Sequence, residues 1–225
     1  MTIDEFIRAN QCKVLYHMSE KGSWPNIHRL GLLSTSALLD ICGIDDIERY
    51  KMESQLRRHK VKINHPVYGD IYIRDQDPML DRPSDGIFLE PLLEDGTTVQ
   101  NWFEFLNSKT FFWVPEYEFK KMLCARLYRN KPHWVIMVDT RSLLGQYADN
   151  ASVSDQNSGS LYSKKPRGLN TFVPLLECSI KNNIIELAID HGVPNITEYT
   201  LCVTECIGSW QNGERVCRKV KQIWP

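Results

Sequence analysis

The sequence lacks the two glycine-rich patterns that most often cradle phosphate, since neither G-x-G-x-x-G nor G-x-x-x-x-G-K-[ST] occurs. It also lacks an apolar run long enough to cross a bilayer. Neither sign of charge is in excess, because 27 Lys and Arg residues against 28 Asp and Glu residues give a formal net charge of −1. Proteins that hold duplex nucleic acid by charge alone are usually more basic. Basic clusters at 57–60, 164–167 and 215–221 are therefore interpreted as solvated faces, although a small single-stranded target would need only one of them.

Cysteine is not scarce, but its spacing does not match the common zinc or redox motifs. The seven cysteines include no C-x-x-C pair, and most stand beside apolar residues, as reduced core thiols do. Cys202 and Cys206 lie four residues apart in a segment typical of a strand, so we expect no metal site there. The first residues carry two acids rather than an apolar signal core. We therefore expect a reduced, cytoplasmic protein without a metal.

Short candidate strands alternate irregularly with candidate helices. The sequence predicts helices over 3–9, 25–30, 45–59, 99–106 and 116–128, and strands over 13–17, 71–73, 110–114, 134–138, 184–189 and 199–207. Thr2, with Glu5 three residues on, is a candidate cap of the first helix, and the segment 34–36 is a candidate cap of a further short helix. This order favours an α+β fold with a split or mixed β-sheet flanked by helices, in a single domain over residues 1–225. Residues 149–170 are rich in Ser, Asn, Gly and Lys, and a loop of this length in a domain usually serves a function.

The first motif with chemical potential is His17 and Ser19 at the end of the first predicted strand, preceded by Tyr16. Taken alone, His17 is typical of a core-facing histidine at a strand end. A short helix entered at Pro25 follows, and Gly31 comes directly after it. In this order and spacing, the segment resembles the opening of the DarT-type ADP-ribosyltransferases, which are bacterial toxins that modify bases in single-stranded DNA.

A second motif follows the strand at 71–73, where Arg74 precedes Asp75, Asp77 and Pro78. It resembles the segment of the same family in which Arg-Ser-Pro-Met-Leu follows a strand, with two more residues here between the arginine and the proline. The alternative is a surface arginine that pairs with Asp75 or Asp77. The resemblance implies that Arg74 pairs with a pyrophosphate or assists proton removal from an attacking base nitrogen.

The third motif is Glu186, an isolated acid within the apolar strand at 184–189. On a strand its side chain points opposite to its two neighbours, so the carboxylate either faces solvent or is held in a cleft. The segment resembles the catalytic strand of the DarT-type family, in which a single glutamate is followed within a few residues by proline. Ile184 stands where many ADP-ribosyltransferases carry Gln or Glu, a departure that fits the DarT-like pattern and argues against an arginine acceptor.

The resemblance implies an ADP-ribosyltransferase-like fold with NAD⁺ as a substrate. Breaking the nicotinamide–ribose bond develops oxocarbenium character, which Glu186 would stabilise by binding the ribose 2′-hydroxyl. His17, Ser19 and Tyr16 would orient the dinucleotide. Nicotinamide also needs an aromatic face, although strand aromatics are more often core residues; the candidates are Tyr68, Tyr72, Phe111 and Phe112.

The loop at 149–170 would recognise the acceptor. Lys164 and Arg167 would hold a phosphate backbone, Tyr162 would stack a base, and Asn157 would contribute hydrogen bonds. The implied acceptor is a base in single-stranded DNA or RNA, in a toxin or anti-phage setting with an antitoxin or a macrodomain-type hydrolase as partner. Two alternatives stay open: the same fold acting on protein, a small molecule or water, and a non-catalytic module that binds nucleotides or nucleic acid.

The chain also resembles an uncharacterised bacterial family. That family combines a strand followed by Arg-Asp-Gln, a Phe-Phe-Trp strand, an Asn-Ser-Gly loop and an apolar strand with a central glutamate. The corresponding segments here lie at 74–76, 111–113, 157–159 and 185–189. This resemblance assigns no function, but it favours one continuous domain.

Overall fold

The computed structural model describes residues 1–179 and 182–225, which contain seven α-helices and twelve strands joined by turns and short 3-10 helices. The helices are α1 (Ile3–Asn10), α2 (Trp24–Leu30), α3 (Thr35–Ile41), α4 (Asp46–Glu53), α5 (Val99–Asn107), α6 (Glu116–Leu123) and α7 (Thr140–Tyr147). The strands are β1 (Val14–Glu20), β2 (Leu32–Leu33), β3 (Val61–His65), β4 (Gly69–Ile73), β5 (Lys109–Trp113), β6 (Pro132–Asp139), β7 (Ala151–Ser154), β8 (Val173–Pro174), β9 (Glu186–Asp190), β10 (Gly192–Val193), β11 (Thr200–Gln211) and β12 (Glu214–Trp224).

Eight of these strands form one sheet in the order β12-β11-β6-β1-β5-β9-β7-β8. Helices pack on both faces of this sheet, so the predicted α+β class is confirmed. Every neighbouring pair among the described strands of this sheet is antiparallel. The prediction that the sheet mixes parallel and antiparallel strands is therefore wrong. The remaining described strands form the hairpin β3–β4 and the short pair β2–β10.

The alternation of side chains along the central strands divides the core into two faces. Leu15, Phe112 and Leu187 point to the face that α1, α2 and α7 cover. Trp113 and Ala188 point to the opposite face, which α5 and α6 cover. The position of a residue along β1, β5 or β9 therefore decides which layer of helices it meets.

The contact between β1 and β5 is much shorter than the contact between β1 and β6. All seven residues of β1 are in register with β6, from Val14 opposite Asp139 to Glu20 opposite His133. Among the described residues, the pair Tyr16–Trp113 is the one register position that joins β1 to β5. We call the gap beyond this pair, where β1 and β5 diverge, the seam.

Several local predictions are confirmed and others are wrong. The Thr2 capping box of α1 and the Ser34 cap of α3 are present. Helices α4 and α6 end earlier than predicted, and β7 lies inside the segment predicted as a loop. The sequence analysis missed α7 and β12; β12 pairs with β11 through the two-residue turn Asn212-Gly213, in which both residues have positive φ. In the described ranges, no helix combines the length and apolar character that crossing a bilayer requires.

Gly208 in β11 packs directly against the end of α6. A Cβ at this position would collide with the carbonyl group of Leu123, whose carbon would lie 2.6 Å away. We expect Gly208→Ala to lower the free energy of unfolding by about 1–3 kcal/mol, because a backbone group cannot move aside as a flexible side chain can. Urea unfolding measures this change.

Gly145→Ala in α7 is the matched control for this substitution. Nothing lies within 4 Å of a Cβ at Gly145, and alanine is favoured over glycine inside a helix by about 1 kcal/mol. The control variant should be at least as stable as the wild type. Unchanged or increased stability of Gly208→Ala would contradict the close packing of β11 on α6.

Candidate functional site

Glu186 opens β9 and is buried in the sheet, with 4% of its surface exposed. It is in register with Trp113 of β5 and Ser154 of β7, so the three residues share one face. Its Oε2 accepts a hydrogen bond of 3.0 Å from the backbone N–H of Ser158. Burial raises the pKa of Glu186 to about 7, while the hydrogen bonds from Ser158 and the charge of Arg167 oppose this rise. The carboxyl group is held in the interior and does not face solvent.

The loop over Glu186 is built around the guanidinium group of Arg167, which is 1% exposed. Its Nη1 donates to the carbonyl oxygens of Ser158 and Ser160 at 3.1 Å each, and its Nη2 donates to Ser163 Oγ at 3.4 Å. The carbonyl of Ser158 thus binds Arg167, while the N–H of the same residue binds Glu186. The prediction that Arg167 holds a phosphate backbone is wrong for this structure, because its donors are used inside the loop.

His17 lies in the seam, where its Nδ1 is 2.8 Å from the carbonyl oxygen of Phe111. Since a carbonyl oxygen can only accept, Nδ1 carries the proton. Burial lowers the pKa of His17 to about 4; the charge of Arg74 contributes to this fall and the hydrogen bond to Phe111 opposes it. The ring is therefore neutral at pH 7, and Nε2 is the nitrogen that can accept a hydrogen bond from a ligand.

Arg74 follows β4 and reaches across to the end of β1. Its Nη1 donates to the carbonyl oxygen of Met18 at 3.4 Å, and its guanidinium carbon lies 4.6 Å from the centroid of the Tyr128 ring. Among the described residues it forms no ion pair with Asp75 or Asp77; the Asp75 carboxylate accepts from the backbone N–H of Asp77, and the Asp77 carboxylate pairs with Arg82 at 3.7 Å. Most of its donors are therefore left for an anion, and the alternative of a local surface pair does not hold.

A buried arginine that the sequence analysis placed in a solvated cluster supports the segment at 74–76. Arg57 Nε donates to the carbonyl oxygen of Arg74 at 3.0 Å, and Arg57 Nη2 donates to Asn107 Oδ1 at 3.0 Å. The backbone N–H of Arg57 donates to Gln76 Oε1 at 3.1 Å. This network fixes the backbone from which the Arg74 side chain starts.

The register of the sheet relates His17 to Glu186. Tyr16 pairs with Trp113, and Trp113 pairs with Glu186, so one row crosses β1, β5 and β9. Because neighbouring strands lie about 4.8 Å apart, the backbones of β1 and β9 are about 10 Å apart along this row. His17 is one residue beyond Tyr16, and its side chain starts on the opposite face from Glu186. A ligand that contacts both side chains would therefore have to reach both faces of the sheet.

Three residues predicted to bind NAD⁺ have side chains that contact other parts of the fold, and two of them, Tyr16 and Phe111, are partly buried. Tyr16 stacks on Phe119 with ring centroids 5.2 Å apart, and the ring of Phe111 packs against Phe172 with centroids 5.7 Å apart. Ser19 donates its hydroxyl hydrogen to a β6 carbonyl oxygen at 2.9 Å. The ring of Phe111 is partly buried against the cluster beneath α5 and its carbonyl group contacts His17, so its role as an aromatic face stays a prediction.

Other predicted residues lie on the surface. Tyr72 points to the exposed side of the β3–β4 hairpin, and the ammonium nitrogen of Lys60 lies 4.6 Å from its ring centroid. Tyr162 is 61% exposed, and the guanidinium carbon of Arg82 lies 5.2 Å from its ring centroid. Lys164 is exposed as well, so Tyr162 and Lys164 remain accessible to an acceptor.

A polar depression of about 240 Å³ lies at the edge of the sheet beside this loop. It is adjacent to the site because Ser154, the partner of Glu186 in the sheet, is part of its wall. Asn157, predicted to recognise an acceptor, comes directly after one lining residue and directly before Ser158. The lining of the depression combines the acids Glu94, Asp95 and Asp155 with Arg167.

The sequence analysis missed the roles of several residues in the site. Ser158 and Trp113 stand in the Asn-Ser-Gly and Phe-Phe-Trp segments shared with the uncharacterised family. Those segments drew attention to the two residues but did not indicate their contacts with Glu186. Arg57 and Tyr128 had no such signal, because their contacts with Arg74 join segments far apart in the sequence.

The family to which the chain belongs is shown by a match over most of its length. No curated protein matches the chain. A family described as a family of unknown function (DUF7002) matches residues 13–200, which run from the start of β1 to the start of β11 and include His17, Arg74 and Glu186. This match covers well over half of the sequence. The chain therefore belongs to the family of unknown function DUF7002.

Proposed function

We propose that the chain is a DarT-like ADP-ribosyltransferase that breaks the nicotinamide–ribose bond of NAD⁺ and transfers ADP-ribose to a base in single-stranded nucleic acid. The observation that carries this proposal is the row across β1, β5 and β9, which sets a neutral histidine at the seam and a buried glutamate two strands away. The divergence of β1 and β5 also supports the split sheet expected of an ADP-ribosyltransferase-like fold.

The donor side of the proposal rests on His17 and Arg74. The neutral imidazole of His17 presents Nε2 as an acceptor for a hydroxyl of the adenosine ribose. The guanidinium of Arg74 is close enough to lower the pKa of His17 and forms no ion pair with Asp75 or Asp77 in the described chain. It supplies charge-assisted donors for the pyrophosphate.

The catalytic step rests on Glu186. As a carboxylate it hydrogen-bonds the 2′-hydroxyl of the nicotinamide ribose and stabilises the positive charge that develops when nicotinamide leaves. In the structure, Ser158 N–H occupies one of its oxygens, and the loop around Arg167 covers it. On this proposal, entry of the donor requires this loop to move aside.

The acceptor side rests on the depression beside Ser154 and on the exposed loop residues. The carboxylates that line the depression would accept hydrogen bonds from the amino or imino groups of a nucleobase, and they would repel a phosphate group. Tyr162 offers an exposed ring for stacking, and Lys164 offers a positive charge nearby in the chain. A neighbouring gene for a macrodomain-type hydrolase would fit the toxin setting.

Glu186→Gln tests the proposed function directly. Incubation with NAD⁺ labelled in the adenosine part, together with single-stranded DNA, single-stranded RNA or cell lysate, should transfer label to nucleic acid with the wild-type protein. We expect the substitution to lower the rate at least about 100-fold, because an amide cannot supply the negative charge that stabilises the transition state. Counting label in the nucleic-acid, protein and small-molecule fractions measures the outcome.

Glu205→Gln is the matched control, because Glu205 is also 4% exposed in a strand but belongs to β11 and binds Trp134 and Lys21. It should retain the wild-type rate. Equal activity of Glu186→Gln and the wild type would sink the enzyme proposal. Label found only in protein or only in free ADP-ribose would instead assign the acceptor to a protein side chain or to water.

The pH dependence of NAD⁺ cleavage is a second prediction. The pKa of Glu186 is raised to about 7, so the catalytic carboxylate is lost as the pH falls through this value. The pKa of His17 is lowered to about 4, so its ring stays neutral throughout. We expect kcat/KM, measured between about pH 5 and 9, to fall about tenfold per pH unit below pH 7. Protonation of one group, Glu186, would cause this fall. A flat profile, or a limb at the ordinary pKa of a glutamate, would contradict the assignment.

A further inference from the structure

The three basic clusters of the sequence differ in how the fold uses their cations. In the first cluster, Arg57 is buried and Lys60 forms an ion pair. In the second, Lys165 lies 3.8 Å from an aspartate carboxylate and Arg167 is buried inside its loop. The third cluster lies on β12, and none of its cations forms a salt bridge within the described part of the chain. This cluster alone keeps all of its charges available to a ligand.

Strand β12 is an exposed cationic edge of the main sheet. It is the outermost strand, so one of its sides has no neighbouring strand. Its 11 residues extend over about 35 Å. The strand carries one acid, Glu214, and four exposed cations, which are Arg215, Arg218, Lys219 and Lys221. Glu205 of β11 lies opposite Lys221, but its carboxylate pairs with Lys21. We call the pair of strands β11 and β12 the ribbon.

An exposed tryptophan accompanies these cations near the turn of the ribbon. Trp210 is 45% exposed, although its indole N–H donates to the carbonyl oxygen of Cys124 at 3.1 Å. It is in register with Arg215, whose guanidinium carbon lies 4.8 Å from the centroid of the ring. The ring is thus held in place while almost half of it faces solvent. Exposed aromatic rings beside cations are typical of surfaces on which nucleobases stack.

A depression of about 270 Å³ lies further along the ribbon. It is lined by residues 219–222 of β12 together with two residues of β11. The register shifts at this point, so that Val220 is an extra residue between Lys219 and Lys221. A bulge of this kind bends the strand and interrupts its ladder. The depression is therefore bordered by two lysines, and its dimensions suit a phosphate group.

We propose that the ribbon binds the backbone of single-stranded nucleic acid, with Lys219 and Lys221 on phosphates and Trp210 against a base. Charge complementarity selects a polyanion, and the accessible indole ring selects one whose base faces are free, which a duplex does not offer. An acidic peptide would add to β12 as a further strand. The bulge at Val220 opposes this mode, because it breaks the regular spacing of the free edge.

This inference rests on the proposed function, since it locates the nucleic acid that is the proposed acceptor. Lys219 is opposite Cys206, and Glu186 is opposite Trp113. Cys206 and Trp113 belong to one cluster, so the ribbon and the carboxyl group use the same face of the sheet. Five strand spacings separate β12 from β9, which is about 24 Å. The acceptor is therefore a polynucleotide, because a mononucleotide cannot reach from one place to the other.

The test is fluorescence anisotropy of a labelled oligothymidylate with the full-length protein, without NAD⁺, between about 50 and 200 mM salt. The double variant Lys219→Gln/Lys221→Gln should bind more weakly, and the slope of log affinity against log salt should become shallower by about 1.4, since each lost phosphate contact to a single strand removes about 0.7. Trp210→Ala should lower the affinity about fivefold or more, with the salt slope unchanged.

Lys13→Gln/Lys51→Gln is the matched control, because both lysines are exposed, lie outside the ribbon and form no salt bridge in the described chain. It changes the net charge by the same amount and should keep the wild-type affinity and slope. Equal losses in the two double variants would overturn the inference. Tighter binding of duplex DNA, of polyglutamate or of phosphatidylserine vesicles would also overturn it, since the partner would then be of another class.

The same variants separate this inference from the proposed function. Oligonucleotide binding with the expected dependence on Lys219 and Lys221, but without transfer of label from NAD⁺, would support the ribbon and remove the enzyme proposal. Label transfer to oligonucleotide at the wild-type rate by the Lys219→Gln/Lys221→Gln variant would overturn the ribbon alone. Cations on an edge strand also prevent pairing between copies of a chain. Light scattering measures this, and a variant that aggregates while the wild type binds no oligonucleotide would assign them only that role.

Discussion

Burial of the Glu186 carboxyl group is the constraint on which the rest of the site depends. A carboxylate in a sheet interior costs several kcal/mol unless hydrogen bonds and an opposite charge compensate it. Here the compensation passes through one residue, since Ser158 donates its N–H to Glu186 and accepts from Arg167 at its carbonyl oxygen. The remaining donors of Arg167 bind Ser160 and Ser163 and so give the loop its shape. The acid and the loop over it therefore form one unit, and the partial compensation leaves the pKa of Glu186 raised.

The seam between β1 and β5 is the second feature that organises the site. Where the two strands diverge, backbone carbonyl groups that a continuous ladder would use need other donors. The His17 ring donates a hydrogen bond to the carbonyl oxygen of Phe111, and the Arg74 guanidinium donates one to the carbonyl oxygen of Met18. The same two side chains that we propose to bind NAD⁺ therefore also complete the backbone hydrogen bonding at the seam. A ligand that enters there would meet groups already held in place, with Arg57 fixing the segment that carries Arg74.

Much of the local structure was predictable from the sequence, because its causes are local. The capping box at Thr2 and the cap at Ser34 are bonds to residues three positions away. Apolar and aromatic runs indicated the strands that became β1, β5 and β6. Strand β12 was not predictable in this way, since its exposed cations hide any alternation and its apolar face meets α6 only in the folded chain. The predicted lengths of α4 and α6 were too long for a related reason. The residues after each helix are not helical and make tertiary contacts, such as those of Arg57.

The sequence by itself determined the order and spacing of His17, Arg74 and Glu186, and the alternation that decides which of their neighbours share a face. Only the tertiary structure decided the protonation states and the hydrogen-bond partners of these groups. A neutral His17, a Glu186 with a raised pKa and an Arg167 turned into the loop all follow from desolvation and from partners far away in the chain. Strand alternation and helix caps act over a few residues, so a sequence pattern records them. Burial and charge act through space, and no local pattern could show that the arginine predicted to face an acceptor instead balances the acid beneath it.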